Sequence, residues 1–227
     1  MRLLQGTKVV EAPAGWREAL VASRRSVVVD VGAGDGRFVY ESARRDAERF
    51  YIAIDPNATA LGEYAFRAAR KPARGGIANA AFVVAAVEQL PPELLALAGL
   101  VRVNFPWGSL LRGLLEPQPA TLSAVASLAL PDGAFEFVLS YDPTQDTGAF
   151  AGERLPAPDE PYIDQRLIPA YATAGLDVEE QRRLSREEAL AIPSSWGRRL
   201  LHGRRRDVFL VRGSVSRPPR SANLTGS

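Results

Sequence analysis

In VVVDVGAGDGRF, residues 27–38, an acid near the end of an apolar run is followed by glycines at alternate positions. Asp30 precedes Gly32, Gly34 and Gly36. Glycines here permit a tight turn and a close backbone approach to a ligand, with a helix start just beyond. The spacing is one residue shorter than the dinucleotide pattern G-x-G-x-x-G. Asp30 would repel a pyrophosphate at this turn, but not a ligand carrying an amino group and a sulfonium. Asp55 ends the next such run, YIAIDPN, where a carboxylate can accept both hydroxyls of a ribose. Glu88 follows FVVAAV, at the position flanking an adenine ring. A glycine turn and acids at successive strand ends describe a nucleoside pocket along the carboxyl edge of a parallel sheet.

A second group of residues suits a base. VNFPWGS, residues 103–109, sets Asn104, Phe105, Pro106 and Trp107 side by side. Pro106 has no N–H, so its rigid backbone presents carbonyls, and Trp107 offers a stacking face. In IPSSWGRRL, Trp196 follows Ser194 and Ser195 and precedes an arginine cluster. A flipped base needs both faces covered, and two tryptophans can cover them. Trp16, in PAGWREAL, reads as structural. The formal net charge is only +2, yet the bases are clustered: RRLLHGRRR (198–206) holds five arginines, and RAARKPAR (67–74) adds four basic groups. Guanidinium forks suit phosphates and stack on bases, so these clusters point to a nucleic-acid face. The absence of cysteine excludes disulfides and thiolate chemistry, and the single histidine, His202, excludes a His-rich metal site. His202 reads as a surface neighbour of the arginines rather than a catalyst. No metal is expected. The first residues lack an apolar signal core and no run reaches membrane-spanning length, so the expected compartment is the cytoplasm.

The elements that must position these groups read as alternating strands and helices. Strands are expected at 26–32, 49–55, 80–87, 100–106, 133–142 and 207–213, rich in β-branched or aromatic residues. Helices are expected at 36–47, 58–71, 107–116 and 118–130, with weaker patterns at 162–175 and 185–192; SREE at 185–188 fits a capping box. Alternation of this kind gives a mostly parallel sheet covered on both faces. LDVEEQRRLS and DVFLVRG would close it as an antiparallel edge pair. Residues 143–162, rich in Pro, Gly and acids, read as a long loop, and 216–227 as a disordered tail.

The D-x-G-x-G-x-G pattern with its downstream acid resembles the S-adenosylmethionine-dependent methyltransferases of the Rossmann-like class. The resemblance implies an α/β fold with a mostly parallel seven-stranded sheet and an antiparallel edge strand. It also implies one methyltransferase domain over 1–215, with an N-terminal extension and inter-strand insertions. Members acting on base nitrogens often carry Asn/Asp-Pro-Pro-aromatic after the fourth strand; NFPW is a variant in which Phe105 replaces the first proline. DVGAGDGRF, FPWGSLLRG, SSWGRRL and GRRRDVFLVRG together look like the aminoglycoside-resistance 16S rRNA (adenine-N1) methyltransferases, the Kam family of kanamycin–apramycin resistance. That likeness implies methylation of N1 of one flipped adenine in the decoding site of the assembled 30S subunit, by a monomer. By this resemblance Asp30, Gly32, Gly34, Phe38, Asp55, Val87 and Glu88 hold S-adenosylmethionine, and Asn104, Ser109 and Ser195 close around it. Trp107 and Trp196 sandwich the adenine, and carbonyls of Phe105 and Pro106 orient its amino group. Arg199, Arg204 and Arg206 grip rRNA phosphates, and Arg67, Arg70, Lys71 and Arg74 form a second patch. The family's acidic position in the loop after VLSYD fits either Asp142 or Asp146.

Three other readings compete. A tRNA guanine-N7 methyltransferase shares the glycine turn but does not require the second tryptophan. A nicotinamide-dependent dehydrogenase conflicts with the short glycine spacing and the preceding acid. A non-catalytic RNA-binding protein leaves Asp30, Asp55 and the glycines unexplained.

Overall fold

The computed structural model describes residues 1–23, 25–146, 154–203 and 205–216. The chain opens with a hairpin, β1 (Arg2–Gln5) and β2 (Lys8–Glu11), then α1 (Trp16–Ala22). Strands and helices then alternate: β3 (Val27–Val31), α2 (Arg37–Arg45), β4 (Phe50–Asp55), α3 (Ala58–Ala68), β5 (Ala80–Val84) and β6 (Ala98–Asn104). There follow α4 (Gly108–Leu115), α5 (Pro119–Ser127) and β7 (Ala129–Leu139). The last third holds α6 (Glu160–Tyr162), a π-helical turn (Ile163–Leu167), α7 (Ile168–Thr173), β8 (Leu176–Arg183), α8 (Arg186–Ala191), α9 (Ser195–Leu201) and β9 (Phe209–Val215).

Among the described residues the strands form one mixed sheet of nine, in the order β2-β1-β5-β4-β3-β6-β7-β9-β8. The five from β5 to β7 run parallel; the remaining four pairings are antiparallel. This corrects the expected seven-stranded sheet in two respects. The hairpin adds two strands beyond β5, because Leu3 and Leu4 bury themselves there. Gly6, at φ 64, begins the two-residue connection between Gln5 and Lys8, a geometry that needs a positive φ. The antiparallel strand is also not at the edge: β9 lies between β7 and β8. Its Phe209, Leu210 and Val211 are buried on both faces, as an interior strand must be. β8, LDVEEQRR, takes the edge, where charges discourage pairing with other chains. The expected antiparallel pairing of β8 with β9 is present.

Two layers of helices cover the sheet. Val29 and Val31 join Ile52, Val101, Val103 and Phe135 on one face, against leucines of α4 and α5. Tyr162 and Tyr171 donate to the carbonyls of Leu115 and Leu114 at 2.7 and 3.1 Å, supplying partners for the last turn of α4. On the other face Val28, Tyr51, Ala53 and Phe82 pack under α2 and α3, through Val39, Tyr40, Leu61 and Tyr64. A smaller cluster on that face, Val138 and Leu210 with Phe105, seats Ala189 of α8 and Leu200 and Leu201 of α9. The expected tail falls almost wholly in 217–227, outside the described residues, as does 147–153 of the expected loop.

Candidate active site

The glycine turn is built by β3 and β4 together. The N–H groups of Gly32 and Ala33 donate to the Ile54 carbonyl at 2.9 and 3.0 Å. Gly32, at φ 69, has no room for a side chain: a Cβ would stand 2.6 Å from Leu110 Cδ2 of α4. Gly34, at φ 60, is the opposite case, because a Cβ there would meet nothing within 4 Å. Its N–H donates to Asp55 Oδ2 at 2.9 Å, and the Asn57 N–H donates to Oδ1 at 2.8 Å. Two backbone donors thus fix the Asp55 carboxylate at the end of β4, leaving acceptor capacity on each oxygen. Burial raises its pKa, opposed by those same two donors.

Asp30 is 2 % exposed and accepts a hydrogen bond from Asn104 Nδ2 at 2.8 Å. Burial pushes its carboxyl up to about 7, against the Asn104 donor and the positive charge of Arg102. Because Nδ2 serves the carboxylate, Asn104 Oδ1 points elsewhere, and this buried oxygen has no partner among the described residues. A buried acid beside an unpaired amide oxygen is an arrangement of acceptors that suits a cationic amine.

These groups border one cleft of about 720 Å³. Asp30, Gly32, Gly34, Phe38, Asp55, Val87, Glu88, Asn104, Ser109 and Ser195 all line it, as do Phe105, Trp107, Trp196 and Arg199. It also takes in Asp35, Asn57, Ala60 and Glu63, which sequence reasoning missed. The available signal was D-P-N at 55–57: Asn57 caps α3 by accepting from the Ala60 N–H at 3.0 Å, which turns the first residues of α3 toward the cleft.

The stretch after β6 bends sharply. Phe105 sits at φ 51, an uncommon conformation for a bulky residue, and its N–H donates to the Val138 carbonyl at 2.9 Å. Its ring is buried and forms the seat of α9; a Cβ on Gly197 would stand 2.5 Å from it. Pro106 is buried too. Trp107 precedes α4, and Trp196 lies in the first turn of α9. The expected sandwich is not standing open. The two indoles meet edge to face, with centroids 5.1 Å apart and planes at 68°. A base between parallel rings needs roughly 7 Å, two contact distances; with nothing between them, two aromatic rings favour the T-shaped contact seen here.

The basic residues divide. Arg199 is exposed at the cleft. Arg206, expected at phosphates, is turned inward instead: its side chain is 1 % exposed and paired with Asp146, itself 6 % exposed. Arg206 Nη1 donates to Asp146 Oδ2 at 2.8 Å and Nη2 donates to Oδ1, a bidentate pair that engages both terminal nitrogens of the guanidinium. Of the two candidate loop acids, Asp146 is therefore the partner of Arg206. Asp142 closes its own turn, accepting from the Thr144 N–H at 2.8 Å and the Thr144 hydroxyl at 2.6 Å. Arg204 lies outside the described residues. In the second patch Arg67 pairs with Glu63 at 2.6 Å, Arg70 lies 5.0 Å from the Phe66 ring centre, and Lys71 and Arg74 are exposed. Trp16 packs edge-on against Phe50, away from the cleft. Among the described residues, no acid or histidine cluster could hold a metal, and no helix is long and apolar enough to cross a membrane.

Comparison with known proteins agrees with this geometry. A family model, NpmA: 16S rRNA (adenine(1408)-N(1))-methyltransferase, matches residues 2–215. An Escherichia coli protein named 16S rRNA (adenine(1408)-N(1))-methyltransferase is 34% identical over 218 residues, covering 96% of this chain and 100% of its own. The crystal structure of the 16S rRNA methyltransferase KamB superposes with a TM-score of 0.87 at 36% identity, over 96% of this chain and 100% of that one. A mutant of the 16S rRNA (adenine(1408)-N(1))-methyltransferase from Catenulisporales acidiphilia, solved with its cosubstrate S-adenosylmethionine, superposes at 0.85 with 29% identity, over 97% and 99%. From its second residue to the end of β9, the chain belongs to the 16S rRNA (adenine(1408)-N(1))-methyltransferase family.

Proposed function

We propose that the chain methylates N1 of adenine 1408 of 16S rRNA from S-adenosylmethionine, within the assembled 30S subunit, and thereby confers aminoglycoside resistance. The observation that carries this reading is the cleft itself. It joins the Asp30–Asn104 acceptor pair and the fixed Asp55 carboxylate to two indoles at one site.

When bound, S-adenosylmethionine supplies an electrophilic methyl group on a positively charged sulfur. Asp30 and Asn104 Oδ1 suit its amino group, Asp55 its ribose, and Phe38, Val87 and Glu88 border its adenine; Gly34 leaves the space that a Cβ would fill. Ser109 and Ser195 close the cleft from α4 and α9. Adenine N1 carries a free lone pair at neutral pH, so no residue must first remove a proton, and the work of the chain is positioning. Trp107 and Trp196 part to admit the base and then cover its two faces. The backbone carbonyls of Phe105 and Pro106, held by the bend, orient the exocyclic amino group. The methylated base is cationic, and an indole face is a favourable neighbour for that charge. Arg199 contacts phosphates beside the site, Arg67, Arg70, Lys71 and Arg74 contact them farther along, and Arg204 is a further phosphate contact. We read residues 1–215 as one methyltransferase domain that acts as a monomer in the cytoplasm.

Primer extension on 16S rRNA after incubation of intact small subunits with the protein and cofactor tests this reading. A stop at adenine 1408 is the expected result. Methylation of free tRNA with subunits untouched would instead favour guanine-N7 chemistry and overturn it.

A further inference from the structure

One row of residues crosses the sheet from the acid in the cleft to the far edge. Register pairs Asp30 with Arg102, Arg102 with Glu136, Glu136 with Arg212, and Arg212 with Glu180. Side chains opposite one another on neighbouring strands share a face. Acid and base therefore alternate in a line across β3, β6, β7, β9 and β8. On the other side of Asp30 the same row turns apolar, through Ala53 and Phe82, where α2 and α3 cover it.

Two of these four links are ion pairs, Arg102 with Glu136 and Arg212 with Glu180. Arg102 Nη1 lies 2.5 Å from Glu136 Oε2, with the two side chains only 18% and 23% exposed. Arg212 Nε donates to Glu180 Oε2 at 2.8 Å, and Arg182 ties Glu180 to Glu188 of α8 at 3.1 and 2.9 Å. Arg102 is clamped from a second side by Phe38, whose ring centre is 5.0 Å from its guanidinium carbon and which itself lines the cleft. Among the described residues, the hydrogen bond to the side chain of Asp30, at the head of the row, comes from the neutral Asn104 amide. Among the described residues, the charge of Arg102 from β6 favours its ionised form, and Asp55 at the end of β4 and Asp35 in the glycine turn oppose it.

We propose that Arg102, held in place by Glu136 and Phe38, is a positioning residue that keeps Asp30 ionised for the amino group of the cofactor without itself touching the cofactor. This rests on the reading of the cleft as a site for S-adenosylmethionine. A proton on Asp30 and the ammonium group of the ligand compete for one carboxylate. At acid pH binding must expel that proton, so affinity climbs with pH and levels off once Asp30 is ionised. Loss of the Arg102 charge raises the pH at which this happens. Glu136 draws on the same guanidinium, so loss of its charge acts in the opposite direction.

The test is isothermal titration of the full chain with S-adenosylmethionine and S-adenosylhomocysteine across the acid-to-neutral range, in buffers of different ionisation enthalpy so that released protons are counted. The amino group of the ligand titrates identically against every variant, so differences between variants belong to the protein. Arg102→Met is expected to move the plateau up by roughly one pH unit, with about tenfold weaker binding on the rising limb. Arg102→Lys restores the wild-type profile, and Glu136→Gln moves it downward. If wild type binds and Arg102→Met keeps its profile and proton release, the inference is overturned while the cofactor site stands. If wild type binds neither ligand at any pH, the cofactor reading falls and this inference with it. Should Arg102→Met fail to fold, Glu136→Gln decides: an unchanged or upward shift overturns the inference.

Discussion

At the scale of single residues, the site holds costs that only a ligand relieves. Asp30 is the clearest case. Its folded pKa of about 7 stands above the ordinary 3.8, so between those pH values the native state holds a proton that the unfolded chain has lost. Stability from this group is therefore highest below the unfolded value and declines as pH rises toward 7. Asp30→Asn removes the titration. In chemical denaturation without cofactor, the variant is expected to exceed wild type by about 2–4 kcal/mol at mildly alkaline pH, with the gap closing below about pH 4. A constant gap across pH would contradict the assignment. The tryptophans carry a different expectation. Trp107→Ala and Trp196→Ala each remove a stacking face and are expected to lower kcat/KM on small subunits by about 10- to 100-fold, with the dissociation constant for S-adenosylmethionine little changed. Full activity in both variants would refute stacking. The residue types at these positions were legible because their chemistry sits where strand-like runs stop. What was not legible is how side chains meet. Nothing local says that Asn104 turns its amide onto Asp30 across two strands, or that the indoles rest on each other; both depend on the packing of β3, β6, α4 and α9.

Among the elements, α9 and the segment leading into β9 matter most. The helix is seven residues long with a glycine inside it, so its sequence signal is weak. Ser194 caps it, accepting from the Gly197 N–H at 3.0 Å, and Gly197 fits it against the Phe105 ring. The N-terminal hairpin escaped notice for a similar reason: four-residue strands give too few alternations to count. The long central strands and helices α2 to α5 were legible, since their periods run over two or more turns. Arg206 is an instructive error, because a cation within a basic run reads as surface and only the fold reveals Asp146 behind it. Arg206→Ala leaves that carboxylate buried and unpaired, and is expected to cost about 3–5 kcal/mol in denaturant unfolding; Lys, lacking the fork, restores little. Arg199 is expected to behave otherwise. Arg199→Ala keeps the melting temperature and lowers the dependence of subunit affinity on log salt by about one. An unchanged slope for Arg199→Ala, or a lowered slope with intact stability for Arg206→Ala, would reverse these two assignments.

For the whole molecule, the sheet sets the division of labour. Charged residues occupy its two edges: β2 carries Lys8 and Glu11, and β8 carries six charged or amide side chains among its eight residues. Such edges resist pairing with other chains. The alternation of strands and helices made this architecture legible in outline. The place of β9 inside the sheet required knowing that both of its faces are covered. The carboxyl ends of β3, β4 and β6 gather the cleft at one end, while Trp16 and Phe50 pack at the start of β4. The three tryptophans of the chain are thus sorted into a touching pair at the cleft and a single distant one. Chromophores in contact share their electronic transitions, and a lone one does not. The resting protein should carry a paired, oppositely signed circular-dichroism band from Trp107 and Trp196, superimposed on the plain signal of Trp16. An adenine entering between the pair would extinguish that band, so the molecule has its own optical gauge of whether a base has been taken in, readable without label or turnover.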